Sequence, residues 1–246
     1  MNNIASNNLD YLSTKFSPEE FLYGKYYNND GFSQILTLEL LNKISGYKNF
    51  SNFKNIIEIG SRDGLQALEF SDIFPKSKIF SFEPEPNNYK LLIENVSNRK
   101  NIIPYDFCIY NENKLIDFYP VINGNNGASS IFQTNKKNDR SKKWKQKKIK
   151  VRGKRMSTFL EENKINKIDI VWADVQGAEY EVFEGFGKYL KNVNFIYTEI
   201  GLTNLYENQS KLEELLTLLK DFELIYRKDT NCKTESDIIF VNKKLL

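Results

Sequence analysis

The sequence predicts an α/β fold built on a parallel, doubly wound sheet, and three observations carry that reading. Short apolar runs alternate with stretches of helical periodicity, the run at 54–59 passes through a glycine-punctuated turn into a helix, and acidic residues recur where the runs end. In such a sheet, ligands bind beyond the carboxyl ends of the strands.

The central stretch is 54–64. Ile56, Ile57 and Ile59 read as a buried strand, Gly60 and Gly64 let the chain turn and approach a ligand closely, and Asp63 stands where a helix through Leu65, Leu68 and Phe70 opens. Upstream, residues 1–16 are polar and irregular. Ser17-Pro18-Glu19-Glu20 marks a helix start, and Phe32, Ile35, Leu36, Leu40 and Ile44 recur at helical spacing up to Gly46. This predicts an N-terminal helical extension over 1–50, ahead of one catalytic domain over 51–246.

Downstream, Pro75 ends the first helix of the domain and 78–83 reads as a second strand capped by Glu83. A helix follows over 86–95, then a third strand at 101–105 and a strand or hairpin arm at 114–119. Further on, 157–164 is helical, 168–175 is a buried strand, 178–190 is a helix facing inward through Val182, Phe183, Phe186 and Leu190, and 194–200 is a strand ending near Glu199. A helix at 210–220 precedes two apolar runs, 222–226 and 237–241, that pair antiparallel. The expected product is a mostly parallel sheet ending in an antiparallel hairpin.

Residues 120–155 break the rhythm. Asn123 to Ser130 is a loop by composition, and between Lys136 and Arg155 twelve Lys or Arg face a single acid, Asp139. This segment reads as an exposed basic insertion. It is either a solvated face or, with Trp144 and Arg152, a grip for an anionic acceptor such as an acidic glycan or RNA.

Composition narrows the chemistry. With 40% hydrophobic and 27% charged residues the chain is an ordinary globular one, and a net charge of +3 does not by itself imply nucleic acid. Cys108 and Cys232 have no zinc-site or disulfide spacing, which suggests a reduced, cytoplasmic setting, and no run approaches the roughly 18 apolar residues of a membrane span. Histidine is absent, so acid–base work falls to Asp, Glu, Lys or Tyr.

Carboxylates stand near the carboxyl ends of four predicted strands: Glu58, Glu83, Asp174 and Glu199. Glu83, 19 residues beyond Gly64, has the position from which an acid accepts hydrogen bonds from both hydroxyls of a ribose; the alternative is a solvated helix cap ahead of Pro84. Glu58 is placed to meet a cationic amine or to sit in a buried salt bridge. Asp174 and Glu199 are oxygen ligands of the kind Mg²⁺ takes, but acids at strand ends are too common to assign a metal.

Five segments then carry a resemblance: Glu58-Ile-Gly-Ser-Arg-Asp-Gly64, Phe82-Glu83-Pro84, Asn125 to Ser130, Asp174-Val-Gln-Gly-Ala-Glu179 and Leu205-Tyr-Glu-Asn-Gln209. Together they resemble the FkbM family of S-adenosylmethionine-dependent methyltransferases over about 54–241. The resemblance implies a Rossmann-like class I methyltransferase fold with a seven-stranded sheet. It implies that Glu58, Gly60 and Gly64 surround the methionine part of S-adenosylmethionine, with Ser61 and Arg62 in the same turn. Glu83 and Pro84 would hold the ribose, and Asp106 or its neighbours would lie near the adenine. Where many members have Asp just before the helix at 158, this chain has Ser157.

The expected reaction is O-methylation of a sugar or glycan hydroxyl. Asp174 is the first candidate base and also lies at the cofactor, Glu179 is the second, and Asn125, Ser129, Ser130 and Glu199 are candidate acceptor contacts. The other classes weighed are a methyltransferase for RNA or another anionic acceptor, a nucleotide-sugar or NAD enzyme, and a silent binding module. The NAD reading lacks the third glycine of Gly-x-Gly-x-x-Gly.

Overall fold

The structure is a computed structural model and describes residues 53–229 and 233–246. The predicted helical extension over 1–50, and Cys232, lie outside the described residues.

The described chain runs through β1 (Asn55–Ile59), α1 (Leu65–Ile73), β2 (Lys78–Phe82), α2 (Pro86–Val96), β3 (Ile102–Tyr105), β4 (Cys108–Ile109), β5 (Lys114–Phe118) and β6 (Val121–Asn123). It continues through β7 (Lys145–Gln146), β8 (Ile149–Lys154), α3 (Met156–Glu162), β9 (Ile168–Ala173), α4 (Glu179–Phe186), β10 (Val193–Gly201), α5 (Leu212–Leu218), β11 (Phe222–Asp229) and β12 (Glu235–Asn242). Seven strands form the main sheet in the order β11-β12-β10-β9-β1-β2-β3, with β12 antiparallel to both of its neighbours and the remaining pairs parallel. The predicted sheet and closing hairpin are therefore the ones observed.

Covered on both faces, the central strands are apolar almost throughout, as parallel strands must be. Alternation divides them. Ile57, Phe80, Phe82, Val171 and Ile196 pack with Phe159 and Phe183 on one side, while Ile56, Ile79, Ile170, Trp172, Phe195 and Tyr197 pack with Phe70 on the other. Strand order reverses between β1 and β9, which makes that junction the place for a cleft. Gly60 allows the two strand ends to meet: its φ is 85°, and a Cβ there would lie 2.0 Å from the Asp174 carbonyl oxygen.

Two expectations need correction. The helix expected over 178–190 ends at Phe186 and continues as a 3₁₀ turn, because Gly187 takes a φ of 52° that breaks the α ladder. The basic insertion is not a loose loop. In β8 apolar and charged residues alternate, so Val151 is buried beside Ile116 and Phe118 while Lys150 and Arg152 face water. That strand lies between β4 and β5 in a second sheet, and β6 pairs with β7 beside it. Its alternation was masked by its charge.

Candidate active site

A cleft of about 520 Å³ opens at the carboxyl edge of the sheet, lined from the ends of β1, β2, β9 and β10 and by Asn126, Gly127, Ser129 and Ile131. That volume is in the usual range for small-molecule sites. Glu58, Gly60, Ser61 and Arg62 line it from the turn after β1, Glu83 and Pro84 from the end of β2, and Ser129, Asp174 and Glu199 complete the wall.

Glu83 is buried, and its two oxygens accept the backbone N–H groups of Arg62 and Glu85, each at 2.8 Å. Arg62 reaches that position by adopting a left-handed φ of 49°. Burial is the largest influence on Glu83 and pushes it up to about 8, against the pull of those two N–H bonds. Glu58 is 1% exposed, and its Oε2 makes no hydrogen bond among the described residues. Burial raises it to about 7. An orphaned buried carboxylate oxygen, costly to leave unpaired, marks where a donor belongs.

Just beyond β9, Asp174 Oδ1 accepts from Gln176 Nε2 at 2.6 Å, and Gln176 Oε1 in turn accepts the Tyr206 hydroxyl at 2.8 Å. Burial raises the Asp174 pKa, while the Gln176 bond and the Arg62 charge oppose the shift and Glu235 adds to it. Glu179 is also buried, its Oε1 accepting the Gly177 N–H at 3.0 Å. Burial pushes it to about 8.

Several expected residues stand elsewhere. Gly64 caps α1 and packs on α2, where an added Cβ would lie 2.5 Å from Leu92 Cδ1, so it spaces two helices and does not line the cleft. Asp106 pairs with Arg152 at 2.5 Å on the exposed rim, and its neighbours Phe107 and Cys108 line the cleft instead. Glu179 borders a small cavity shared with Glu199 and Glu235, outside the main cleft. Asn125 accepts from the Gly127 N–H at 3.1 Å to hold its own turn. Ser130 donates to the Gln176 carbonyl at 2.8 Å, and Ser129 lines the cleft while bonding Val121 N and the Asn126 carbonyl.

Gln176 and Tyr206 were given no role from sequence, although both fall inside the quoted segments. The signal was available in part: Gln176 follows Asp174 by two residues in a tight turn. Their pairing joins segments 30 residues apart and could not be read from either alone.

The cleft fits S-adenosylmethionine on its own geometry. Five of its lining residues, Glu58, Asp63, Glu83, Asp174 and Glu199, are acids and only Arg62 is a cation, and a ligand carrying positive charge draws the raised carboxyls toward their ionised form. Glu83 offers lone pairs on both oxygens to a diol, and the unpaired Glu58 oxygen offers one to an ammonium.

Comparison with known proteins agrees. The chain matches the Methyltransferase FkbM domain over residues 58–227. It is 33% identical over 197 residues to the 2-O-methyltransferase NoeI of Sinorhizobium fredii, covering 77% of this chain and 80% of that protein. It is 24% identical over 182 residues to the hexuronic acid methyltransferase AglP of Haloferax volcanii, covering 71% and 70%. Among solved structures, Aeropyrum pernix fibrillarin with bound S-adenosyl-L-methionine superposes with a TM-score of 0.47 at 16% identity, over 81% of this chain and 72% of that one.

Proposed function

This chain belongs to the FkbM family of S-adenosylmethionine-dependent methyltransferases, and we propose that it transfers the methyl group to a hydroxyl of a sugar or glycan. The observation that carries the reading is that Glu83 and Asp174, far apart in sequence, line one cleft. Support for the acceptor class comes from the printed activities of the two relatives, one named for 2-O-methylation and the other for hexuronic acid.

S-adenosylmethionine, when bound, supplies an electrophilic methyl on a sulfonium. Glu83 would accept the ribose hydroxyls, Glu58 would pair with the amino group, and Phe107 would wall the adenine end. Asp174 orients the acceptor hydroxyl and takes its proton as the oxygen attacks. Loop 126–131 lines the site and keeps water from competing, so most of the rate gain comes from alignment.

Half of the twelve cations of the basic segment are taken up by acids within the fold. Arg140, Lys142, Lys148, Lys150, Arg152 and Lys154 each pair with an acid, namely Glu235, Asp139, Asp117 (twice), Asp106 and Glu162.

The test is a methyl-transfer assay on a panel of neutral sugars, hexuronic acids and RNA, with the position of the new methyl read by mass spectrometry and NMR. A sugar methyl ether supports the proposal, and methyl recovered only on RNA overturns it.

A further inference from the structure

Three carboxylates form a row across the sheet beside the cleft. On β10, Glu199 is the register partner of Asp237 on β12. On its other side the parallel register of β9 and β10 runs to Ala173 opposite Thr198, so one further step sets Asp174 beside Glu199. Neighbouring strands lie about 4.8 Å apart, and Asp174 and Glu199 face the same cleft.

The outer two carboxylates have donors. Tyr197 Oη donates to Asp237 Oδ1 at 2.7 Å, and Gln176 Nε2 donates to Asp174 Oδ1 at 2.6 Å. Gln176 is held in a left-handed turn with φ 54°, and its side-chain carbonyl is engaged by Tyr206, which leaves its NH₂ facing Asp174. No donor from the described residues reaches the Glu199 carboxyl, which stands between two acids.

We propose that Asp174 and Glu199 hold one proton between them, with Asp174 ionised and Glu199 neutral, so that Glu199 is a positioning residue that keeps Asp174 ready to accept the acceptor hydroxyl's proton. This rests on the reading of Asp174 as that proton acceptor. Adjacent carboxylates in a sparsely hydrated site do not both ionise, and hydrogen bonds decide which one keeps the charge. Donation from Gln176 places it on Asp174. The other groups agree: Arg62 favours the Asp174 anion, while Glu179, Glu235 and Asp237 all press Glu199 toward its neutral form, and Arg140 offsets Glu235. Burial and then the Asp174 charge raise the Glu199 pKa. In the transfer the acceptor oxygen gains the methyl carbon, the carbon–sulfur electron pair stays on sulfur, and the hydroxyl proton passes to Asp174. The pair then holds two protons, and one returns to water through the open side of the cleft.

The direct test is a carboxyl ¹³C NMR titration of the full chain without cofactor, from pH 4 to 10, with signals assigned from Asp174→Asn and Glu199→Gln. The expected result is that Asp174 and Glu199 each titrate in two coupled steps separated by more than about one pH unit. Asp174 in Glu199→Gln then titrates in one step, close to the lower of the two wild-type values. Independent single steps in the wild-type chain overturn the proposal, and that measurement needs no variant to fold. In turnover, Glu199→Gln removes the alkaline inflection of kcat/KM that follows Glu199 ionisation and leaves the acid limb within about half a pH unit, because an amide replaces a neutral carboxyl beside Asp174. A superimposable profile overturns the pair. Coupled titration without sugar methylation keeps the pair and removes the acceptor assignment, whereas sugar methylation with independent titrations does the reverse.

Discussion

The backbone N–H of Arg62 donates to Glu83 Oε2 at 2.8 Å, so the turn after β1 and the acid after β2 are locked together across the two strand ends. A second N–H, from Glu85, fixes the other oxygen. The carboxyl is thereby aimed before any ligand arrives.

At pH 9, above the Glu83 value of about 8, Glu83→Ala is expected to weaken S-adenosylmethionine binding by about 10- to 100-fold, the loss of roughly 1.5–3 kcal/mol for hydrogen bonds to a charged group. Isothermal titration calorimetry checks this. Glu83→Gln should fall between, since it keeps one acceptor oxygen and loses the charge.

The buried acids set an unusual pH dependence of stability. Glu58, Glu83 and Glu179 stand at about 7, 8 and 8 in the folded chain against an ordinary 4.5, so the folded state binds more protons than the unfolded state between these values. Their contribution is fully present below about pH 4.5 and is lost as pH rises through 7 to 8. Without cofactor, Tm should therefore fall from pH 5.5 to 8.5. Glu179→Gln should flatten that slope, with about 5 kcal/mol as the upper bound for a shift of this size. A Tm that rises steadily over the same range contradicts the assignment.

Gly60 and Gly64 look equivalent in the motif and are not equivalent in space. Gly60→Ala drives a methyl onto the Asp174 carbonyl at a left-handed φ and should cost about 3 kcal/mol or more, with loss of cofactor binding. Gly64→Ala, also at a left-handed φ of 80°, meets the side-chain ends of Leu92 at 2.5 Å and Val96 at 3.1 Å and should cost about 1–3 kcal/mol. Cofactor affinity in the Gly64 variant should stay within about threefold of wild type, as measured by calorimetry below its Tm.

That contrast shows how far the sequence could be read. Strand runs, their acidic ends and the closing hairpin were legible because burial on both faces writes itself as apolar runs such as Ile168 to Ala173. The place of Glu83 and Asp174 at the sheet's carboxyl edge was legible because each ends such a run. The contacts of Gly64, Asp106 and Ser130 with Leu92, Arg152 and Gln176 were not legible, because no local pattern announces those partners. The β8 strand escaped because charge hid its period of two.

The last prediction concerns the twelve cations between 136 and 155. Had they formed an open anionic-ligand track, acceptor affinity would fall steeply with salt, with a log–log slope of about −0.7 per contact for single-stranded nucleic acid. The structure spends much of that charge on neighbouring acids, with Arg140 bonded to Glu235 and Thr234 and both Lys148 and Lys150 on Asp117. Neutralising the paired Lys142, Lys148 and Lys150 to Gln should accordingly leave acceptor KM and its salt dependence nearly unchanged. Arg140→Gln behaves differently, because it removes a partner from the buried Glu235 carboxyl and should cost about 1–3 kcal/mol of stability. Chemical denaturation of the two variants beside KM measured at low and high salt separates these effects; a steep salt slope abolished by the triple lysine variant would restore the segment as an acceptor-binding surface.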